Sequence, residues 1–451
     1  MSDIIAAIAT GRAPCAIGIL RLSGPGCAAL TGRVFTPKQP FADAPDRRLV
    51  LGLLHDRQGR VIDECLGVVC RAPHSYTGEE TVELQCHGSP AMLAAGLEAL
   101  LAAGARQAGP GEFTRRAFLN GKLDLTQAEA VVDLIDAETA DAAANAAGQL
   151  GGALKRAIGP VYDGLTDLCS HFHAVLDYPD EDIEDFGAAE LSGALDRAGV
   201  ALRELLATYE KGRHLRQGVR AVLLGKPNAG KSSLLNRLAG YDRVIVTDIA
   251  GTTRDTVEEP VRVGRVLLRL TDTAGIREAG DAIEALGVAR SEQAAREAEL
   301  ALFVCDASQP LTDEDRRAIE AAKCAPRSLA LCNKSDLPAA VSPDELPFDT
   351  VLTVSARTGA GLDALPALLE GWFLGGNACD GSLLTNPRQF GALDRASRAI
   401  ERAKTGLCLG LTPDAVLTDV EEAMAALGEV TGRTVREDIT NRIFERFCVG
   451  K

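Results

Sequence analysis

The chain has 451 residues, 46% hydrophobic and 25% charged, which is the composition of a globular protein. A net charge of −15 and a pI near 5.0 argue against free-standing binding to DNA or RNA, because proteins that bind nucleic acid alone usually carry a basic surface. A chain of this length exceeds one ordinary hydrophobic core, so about two to four domains are expected.

Cysteine usage and hydropathy indicate the compartment. The 12 cysteines are scattered singly, without a Cys-x-x-Cys pair, which predicts reduced buried thiols and argues against zinc or iron–sulfur binding. No apolar run approaches the roughly 20 residues of a membrane span. The N-terminal residues also lack the basic leader of a signal or transit peptide. These features predict a cytoplasmic protein that does not associate with membranes.

The first predicted domain covers residues 1–119 and has an α+β pattern. Short apolar runs with Gly and Pro between them predict strands at AIGILRLSG, RLVLGLL and VIDECLGVVCRA. A longer apolar run, SPAMLAAGLEALLAAGA, predicts a helix. Residues 120–214 then consist of long Ala-, Leu- and acid-rich segments, which predict a helical domain that the acidic stretch DYPDEDIEDF interrupts.

Residues 215–375 alternate strand-like and helix-like segments. The strands are predicted at VRAVLLG, VLLRLTD, LALFVCDA, SLALCNKSD and TVLTVSA, and helical segments between them predict a mostly parallel sheet. Residues 376–451 begin with a Gly-rich linker and are helical again. The two helical blocks fit one discontinuous domain interrupted by the α/β unit, because insertion is tolerated where chain termini lie close together. The predicted fold class is therefore multidomain α/β.

A phosphate-binding loop follows the first strand of the α/β unit. Gly225, Gly230, Lys231 and Ser232 have the spacing G-x-x-x-x-G-K-[ST], in which backbone N–H groups surround the phosphates, the lysine reaches the β- and γ-phosphates, and the hydroxyl binds Mg²⁺. The residues assigned to this loop are Asn228, Ala229, Gly230, Lys231, Ser232 and Ser233.

Three further motifs lie at predicted strand ends and predict a Ras-like GTPase. In DTAG, Asp272 can hold Mg²⁺ through water, and the Gly275 N–H can sense the γ-phosphate. In NKSD, the Asp336 carboxylate can accept two hydrogen bonds from guanine that adenine does not offer. In SAR, which comprises Ser355, Ala356 and Arg357, the first two residues would close over the base. The remaining residues assigned to these motifs are Thr273, Ala274, Asn333, Lys334 and Ser335.

The segment TDIAGTTRD lies between the phosphate-binding loop and DTAG and predicts a switch loop. Thr253 can ligate Mg²⁺ only when the γ-phosphate is present. Ras-like enzymes place a water-orienting glutamine directly after the D-x-x-G glycine, but this chain has Ile276 there. Hydrolysis must therefore be assisted differently. The residues alone leave four candidates open: Thr252, Thr253, Asn228 and Glu284.

Along its whole length the chain resembles the MnmE (TrmE) family of tRNA-modification GTPases. The similarity rests on GKPNAGKSSLLN, TDIAGTTRD, DTAGIRE, GILRLSG, SYTGEETVELQCHG, GEFTRRAFLNGKLDLTQAEAV and the terminal FCVGK. The resemblance implies a K⁺-activated GTPase in which Glu284 orients the attacking water and Arg254 supports coupling to modification. The site residues that it implies in the switch loop are Thr247, Asp248, Ile249, Ala250, Gly251, Thr252 and Thr253. The resemblance also implies that K⁺ is bound by the side-chain carbonyl of Asn228 and by backbone oxygens of Thr247, Ile249 and Thr252.

The resemblance also implies a folate site in the N-terminal domain, for 5-formyltetrahydrofolate or a related tetrahydrofolate. Arg21, Glu83 and Lys122 match folate-contacting positions, and Lys451 would lie near that site. Cys448 matches the family cysteine that is implicated in modification. Prenylation is the rival interpretation of Cys448, but the last three residues match C-a-a-X poorly. Whether the thiol is a nucleophile stays open.

The activity that the resemblance implies is shared with a flavoprotein partner, MnmG (GidA). Together they would add an aminomethyl or carboxymethylaminomethyl group to the 5-position of the wobble uridine of certain tRNAs. A homodimer through the N-terminal domain and a transient dimer of G domains are implied as well. A ribosome-assembly GTPase is the alternative, although the terminal helical region lacks the GXXG-plus-basic signature of a KH domain. A one-carbon transferase with an accessory GTPase is a second alternative.

Overall fold

The computed structural model describes residues 3–11, 13–38, 45–177, 188–241, 258–272, 292–375, 381–433, 443–445 and 447–450. Two compact units divide the chain. The first unit comprises Met1–Val132, Gln149–Tyr162 and Thr418–Lys451. The second unit comprises Asp133–Gly148 and Asp163–Leu417. Within the described residues, no helix combines the length and the apolar character that crossing a membrane requires.

The first unit contains a seven-stranded sheet in the order β3–β4–β5–β6–β2–β1–β7. Neighbouring strands are antiparallel except β1 and β7, which are parallel. The strands are β1 (Ile5–Ile8), β2 (Cys15–Ser23), β3 (Phe35–Pro37), β4 (Val50–His55), β5 (Val61–Cys70), β6 (Thr81–Gly88) and β7 (Arg106–Gln107). Alternate residues of β6, such as Leu84 and Cys86, enter the core, where Leu93 and Leu100 of a helix over Pro90–Ala102 pack.

Thirteen α-helices lie wholly within the described residues. They are α1 (Cys27–Thr31), α2 (Pro90–Ala102), α3 (Glu112–Leu119), α4 (Leu125–Ile135), α5 (Ala140–Leu150), α6 (Ala153–Asp177), α7 (Ala188–Leu206), α8 (Tyr209–Gln217), α9 (Lys231–Tyr241), α10 (Asp313–Ala322), α11 (Ala364–Phe373), α12 (Pro387–Cys408) and α13 (Pro413–Thr431). Helices α7 and α12 lie on opposite sides of the α/β region in sequence and pack against each other. This contact joins the two predicted helical blocks.

The second unit contains a six-stranded sheet in the order β13–β12–β11–β8–β10–β9. Its strands are β8 (Val219–Leu224), β9 (Glu258–Val263), β10 (Val266–Asp272), β11 (Leu300–Asp306), β12 (Arg327–Asn333) and β13 (Val351–Thr353). All neighbours are parallel except β9 and β10. Strand β11 is buried at every position, as expected when helices cover both faces of a parallel sheet.

The predicted multidomain α/β architecture is confirmed. The five strands expected between residues 215 and 375 all form, whereas β9 was not predicted. Its sequence, EEPVRV, carries two glutamates and Pro260, a pattern that is tolerated because β9 lies at the sheet edge. The residue boundaries of the three predicted domains, one of them in two segments, stay predictions.

Candidate nucleotide-binding site

The phosphate-binding loop connects the end of β8 to the start of α9. Gly225 has φ +145°, and a Cβ at this position would collide with the carbonyl oxygen of Val304 in β11. Gly230 has φ +97°, and a Cβ there would collide with the side-chain nitrogen of Asn333. Both backbone conformations are ones that side-chain-bearing residues rarely adopt. The two glycines of the motif are therefore required by the close approach of β11 and of the end of β12.

Three polar side chains belong to the same loop and the first turn of α9. The Lys231 ammonium donates hydrogen bonds to the carbonyls of Gly225 (2.6 Å) and Lys226 (2.8 Å), which keeps this cation at the loop. Asn228 is exposed and has φ +62°, a conformation that asparagine adopts more readily than most residues. Ser232 is exposed at the second position of α9. Oxygen donors of this kind suit hard cations such as Mg²⁺ and K⁺.

The Asn333 side chain connects the phosphate loop to the loop after β13. Its amide nitrogen donates to the Ala229 carbonyl, and its amide oxygen accepts from the Ala356 N–H, both at 2.9 Å. Asn333 is 2% exposed, so both bonds are shielded from water. A buried group that loses its partner costs about 1–3 kcal/mol. Asn333 therefore holds the phosphate loop and the loop after β13 together.

Asp336 carries the carboxylate suited to guanine. The Ser355 hydroxyl donates to its Oδ1 at 2.6 Å, and this hydrogen bond holds the pKa of Asp336 below its usual value. The Ser355 oxygen in turn accepts from the Thr358 N–H at 3.1 Å. Arg357 is 3.6 Å from Asp336 but is largely exposed. The carboxylate is thus ionised and acts only as an acceptor, which matches two adjacent donors on a purine edge.

Two supporting interactions of this loop region were not predicted. Lys334, at φ +67°, donates to Asp306 at 2.6 Å. Burial raises the pKa of Asp306, but hydrogen bonds from Lys334 and Ser308 outweigh it, so the pKa lies below the usual value. Arg237 of α9 donates to the carbonyls of Ala356 (3.2 Å) and Arg357 (2.6 Å). No sequence motif marks Asp306 or Arg237, because their partners lie on other strands and loops.

Several predicted site residues lie outside the described chain. They are Thr247, Asp248, Ile249, Ala250, Gly251, Thr252, Thr253, Arg254, Thr273, Ala274, Gly275, Ile276, Glu284 and Lys451. The backbone of Asp272 is described, and it pairs with Leu223 at the end of β10, next to the strand that leads into the phosphate loop. The positions described by the structure therefore cover the phosphate loop and the base loop.

A second cluster of predicted residues lies in the first unit. Arg21 and Glu83 are directly opposite on β2 and β6, and their side chains form an ion pair of 2.8 Å. The Arg21 guanidinium lies 5.7 Å from the Tyr76 ring and donates to the carbonyl of Gly450 at 3.4 Å. The chain terminus thus runs beside the Arg21–Glu83 pair. Its position is fixed further by a bridge from Pro110 to Val449.

Lys122 and Cys448 border this cluster. Lys122 donates to the Pro73 carbonyl at 3.2 Å, so it contacts the loop that also carries Tyr76. Among the described contacts, none joins Lys122 directly to Arg21 or Glu83. The Cys448 side chain is exposed, and its carbonyl accepts from the Gly111 N–H at 3.3 Å. The structure thus places an exposed thiol two residues before the carbonyl that Arg21 contacts.

The fold and the site together define a P-loop GTPase. A parallel sheet carries the phosphate loop after β8, and a guanine-type acceptor with its serine partner lies beyond β12 and β13. A P-loop nucleotide hydrolase needs its phosphate loop and its base-recognition residues at neighbouring strand ends, so that one nucleotide contacts both.

Comparison with known proteins identifies the family. The model for the GTP-binding protein TrmE N-terminus matches residues 4–122, and the model for the MnmE helical domain matches residues 125–448. The tRNA modification GTPase MnmE of Roseiflexus sp. (strain RS-1) is 45% identical over all of this chain and 99% of its own. Those of Chloroflexus aurantiacus and Aquifex aeolicus are 43% and 41% identical over the whole of both chains. The chain belongs to the MnmE (TrmE) family of tRNA modification GTPases.

Proposed function

We propose that this chain is a K⁺-activated GTPase that modifies the wobble uridine of certain tRNAs together with a flavoprotein partner, MnmG (GidA). The product would carry an aminomethyl or carboxymethylaminomethyl group at the 5-position, with the one-carbon unit taken from a tetrahydrofolate. The observation that carries the GTPase part is the ionised Asp336 joined, through Asn333 and Ser355, to the phosphate loop. Family membership supports the tRNA part.

The residues near the phosphate loop fit Mg²⁺ and K⁺. The Ser232 and Thr253 hydroxyls would hold Mg²⁺, which neutralises phosphate charge when bound. The Asn228 side-chain oxygen, with backbone oxygens of Thr247, Ile249 and Thr252, would hold K⁺. The exposure of Asn228 on the phosphate loop and its left-handed φ of +62° support this role, since residues with such a backbone conformation often occur at functional sites. A cation there would take the place of an arginine finger.

The K⁺ proposal predicts a cation-dependent rate. GTP hydrolysis should be about tenfold or more faster in K⁺ than in Na⁺ at matched ionic strength, because a positioned charge stabilises the transition state by a few kcal/mol. Asn228→Gly removes the oxygen donor but suits φ +62°, so this variant should lose the K⁺ stimulation and keep its affinity for GDP. Equal rates of the unmodified chain in both salts would contradict the proposal.

Glu284 is proposed to orient the attacking water, in the role that glutamine has in Ras-like enzymes. Replacing Glu284 with Ala should slow single-turnover hydrolysis by at least about 10²-fold and leave GTP affinity unchanged, since the carboxylate acts on water and not on the bound nucleotide. Glu284→Gln retains a hydrogen-bonding group and serves as the control with an intermediate rate. An Ala variant that hydrolyses GTP at the original rate would remove Glu284 from the mechanism.

The N-terminal cluster is the proposed folate site. Glu83 can accept from pterin N–H groups, and Arg21, Lys122 and Lys451 suit the carboxylates of the ligand. The Arg21–Glu83 pair of 2.8 Å and the aromatic ring of Tyr76 support this, because they combine charge with an apolar surface that suits a flat heterocycle. In this proposal the N-terminal domain also forms the constitutive homodimer, and the G domains dimerise transiently.

Cys448 is proposed to act in modification and not in GTP hydrolysis. A strain that lacks the gene, complemented with Cys448→Ser, should show loss of the modified wobble nucleoside by mass spectrometry. The purified variant should hydrolyse GTP at the original rate, because Cys448 belongs to the unit that does not carry the phosphate loop. Cys408→Ser, an exposed cysteine of α12, is the matched control and should modify normally. Full modification by Cys448→Ser would exclude the role.

A further inference from the structure

Strands β5 and β6 bring three metal-ligating side chains together in the first unit. The Sγ atoms of Cys65 and Cys86 and a carboxylate oxygen of Asp63 all lie within 4.8 Å of one another. Both cysteines are 3% exposed, and the Asp63 side chain is 8% exposed. The two cysteines are far apart in the chain, so no short Cys-x-x-Cys motif announces this cluster. Antiparallel pairing of the two strands creates it.

The cluster faces away from the proposed folate residues. Cys65 and Cys86 belong to the buried core of the sheet, with Leu84 two residues before Cys86 on the same face. Glu83 lies on the alternate face of β6, where it pairs with Arg21. The three side chains are therefore separate from the Arg21–Glu83 cluster.

The geometry and the chemistry of the three ligands suit zinc. Thiolate and carboxylate ligands bind Zn²⁺ at about 2.3 and 2.1 Å, so ligand atoms of a tetrahedral site are separated by about 3.5–3.8 Å. Because the three ligand atoms lie within 4.8 Å of one another, side-chain shifts of about 1 Å are enough to reach these separations. Three protein ligands with a fourth position open to water form a common zinc arrangement.

His87 forms hydrogen bonds with both oxygens of the Asp63 carboxylate and so orients it. The His87 Nδ1 lies 2.7 Å from one carboxylate oxygen of Asp63, and the His87 backbone N–H donates to the other at 2.8 Å. Carboxylates that ligate a metal are usually oriented by such hydrogen bonds, whose loss lowers metal affinity about 10–100-fold.

Two other clusters show by contrast why this one suits a metal. Cys305 and Cys332 lie 3.9 Å apart on β11 and β12, but no third potential ligand joins them within the part of the chain that the structure describes. In a group of Glu210, His214 and Glu299, the guanidinium of Arg213 already donates to both carboxylates. The positive charge that a metal ion would supply to that group is already supplied by Arg213.

We propose that Cys65, Cys86 and Asp63 bind a zinc-type divalent cation, with His87 as a positioning residue. On binding, the two thiols would release their protons to solvent and bond to the metal as thiolates. The metal would then tie β5 to β6 at the end where their backbone pairing stops, beyond Leu66–Gln85.

Cobalt titration of the untagged full-length chain, reduced and stripped of metal, tests the proposal. Co²⁺ should produce a thiolate-to-metal charge-transfer band that saturates at one equivalent per chain and disappears on addition of Zn²⁺. Mg²⁺-type sites at the phosphate loop contain no thiolate and do not contribute to this band. Absence of the band in the original chain would overturn the proposal, as would a native Cys65–Cys86 disulfide seen by intact mass.

Four variants locate the site. Cys86→Ser should abolish the band, and Asp63→Asn should weaken Co²⁺ binding about tenfold or more. His87→Ala changes an exposed side chain, so it should fold normally and weaken binding about 10–100-fold. Cys332→Ser is the matched control in the other buried thiol pair and should keep the band. A band that survives Cys86→Ser or is unaffected by His87→Ala would overturn the assignment.

Discussion

The Asp336→Asn variant is expected to bind GDP and GTP about 10²–10⁴-fold more weakly than the original chain. The carboxylate would accept two charge-assisted hydrogen bonds from guanine, each contributing about 1.5–3 kcal/mol, and asparagine replaces one acceptor with a donor. Xanthine carries a carbonyl where guanine carries its amine, so the asparagine amide can donate to it. Affinity for xanthosine diphosphate should therefore rise while affinity for GDP falls.

Titration with fluorescent GDP and xanthosine diphosphate measures both effects on one preparation. Arg357→Ala is the matched control, because Arg357 is 3.6 Å from Asp336 and 84% exposed. An ion pair of this kind contributes at most about 1 kcal/mol, so the control should lose less than about fivefold in GDP affinity. Unchanged GDP affinity in Asp336→Asn would show that another group selects the base.

The second large effect is expected for Gly225→Ala. This substitution places a Cβ against the Val304 carbonyl oxygen at φ +145°, a region that alanine rarely adopts. Either the phosphate loop or β11 must move, and β11 is buried at every position. We expect a loss of about 2–4 kcal/mol in the free energy of unfolding and a loss of measurable GTP binding.

Gly371→Ala makes the same chemical change where the structure accommodates it. Gly371 lies inside α11, and a Cβ there meets no atom within 4 Å. Alanine is about 0.5–1 kcal/mol better than glycine in a helix, so this variant should be stabilised and should bind GTP normally. Denaturant unfolding and GTP titration distinguish the two variants. Similar behaviour of both would mean that the contact with Val304 does not constrain the loop.

Much of the nucleotide site could be predicted because its motifs are short and local. The glycine and lysine spacing of the phosphate loop depends on one strand–turn–helix, and the strands before the phosphate loop and before NKSD are largely buried apolar runs. The edge strand β9 could not be predicted from an apolar run, since its buried residues Val261 and Val263 alternate with Pro260 and Arg262. The role of Asn333 was also beyond the sequence, because both of its partners lie on other loops.

Contacts between distant segments explain what the sequence does not predict in the first unit. The resemblance to the family pointed to Arg21 and Glu83, but their pairing follows from the β2–β6 register. The contact of Arg21 with Gly450 requires the chain terminus to return to this sheet. Cys65 and Cys86 illustrate the same limit. Spacing along the chain argued against a metal motif, whereas strand pairing brings three potential ligands together.

The shielded amide of Asn333 has one more consequence. Since the Asn333 side chain hydrogen-bonds both the phosphate loop and the segment that closes over the base, the positions of the two halves of the pocket are coupled. A ligand fragment that orders either half thereby lowers the entropy cost of filling the other. Guanosine and inorganic pyrophosphate, offered together, would each improve the retention of the other.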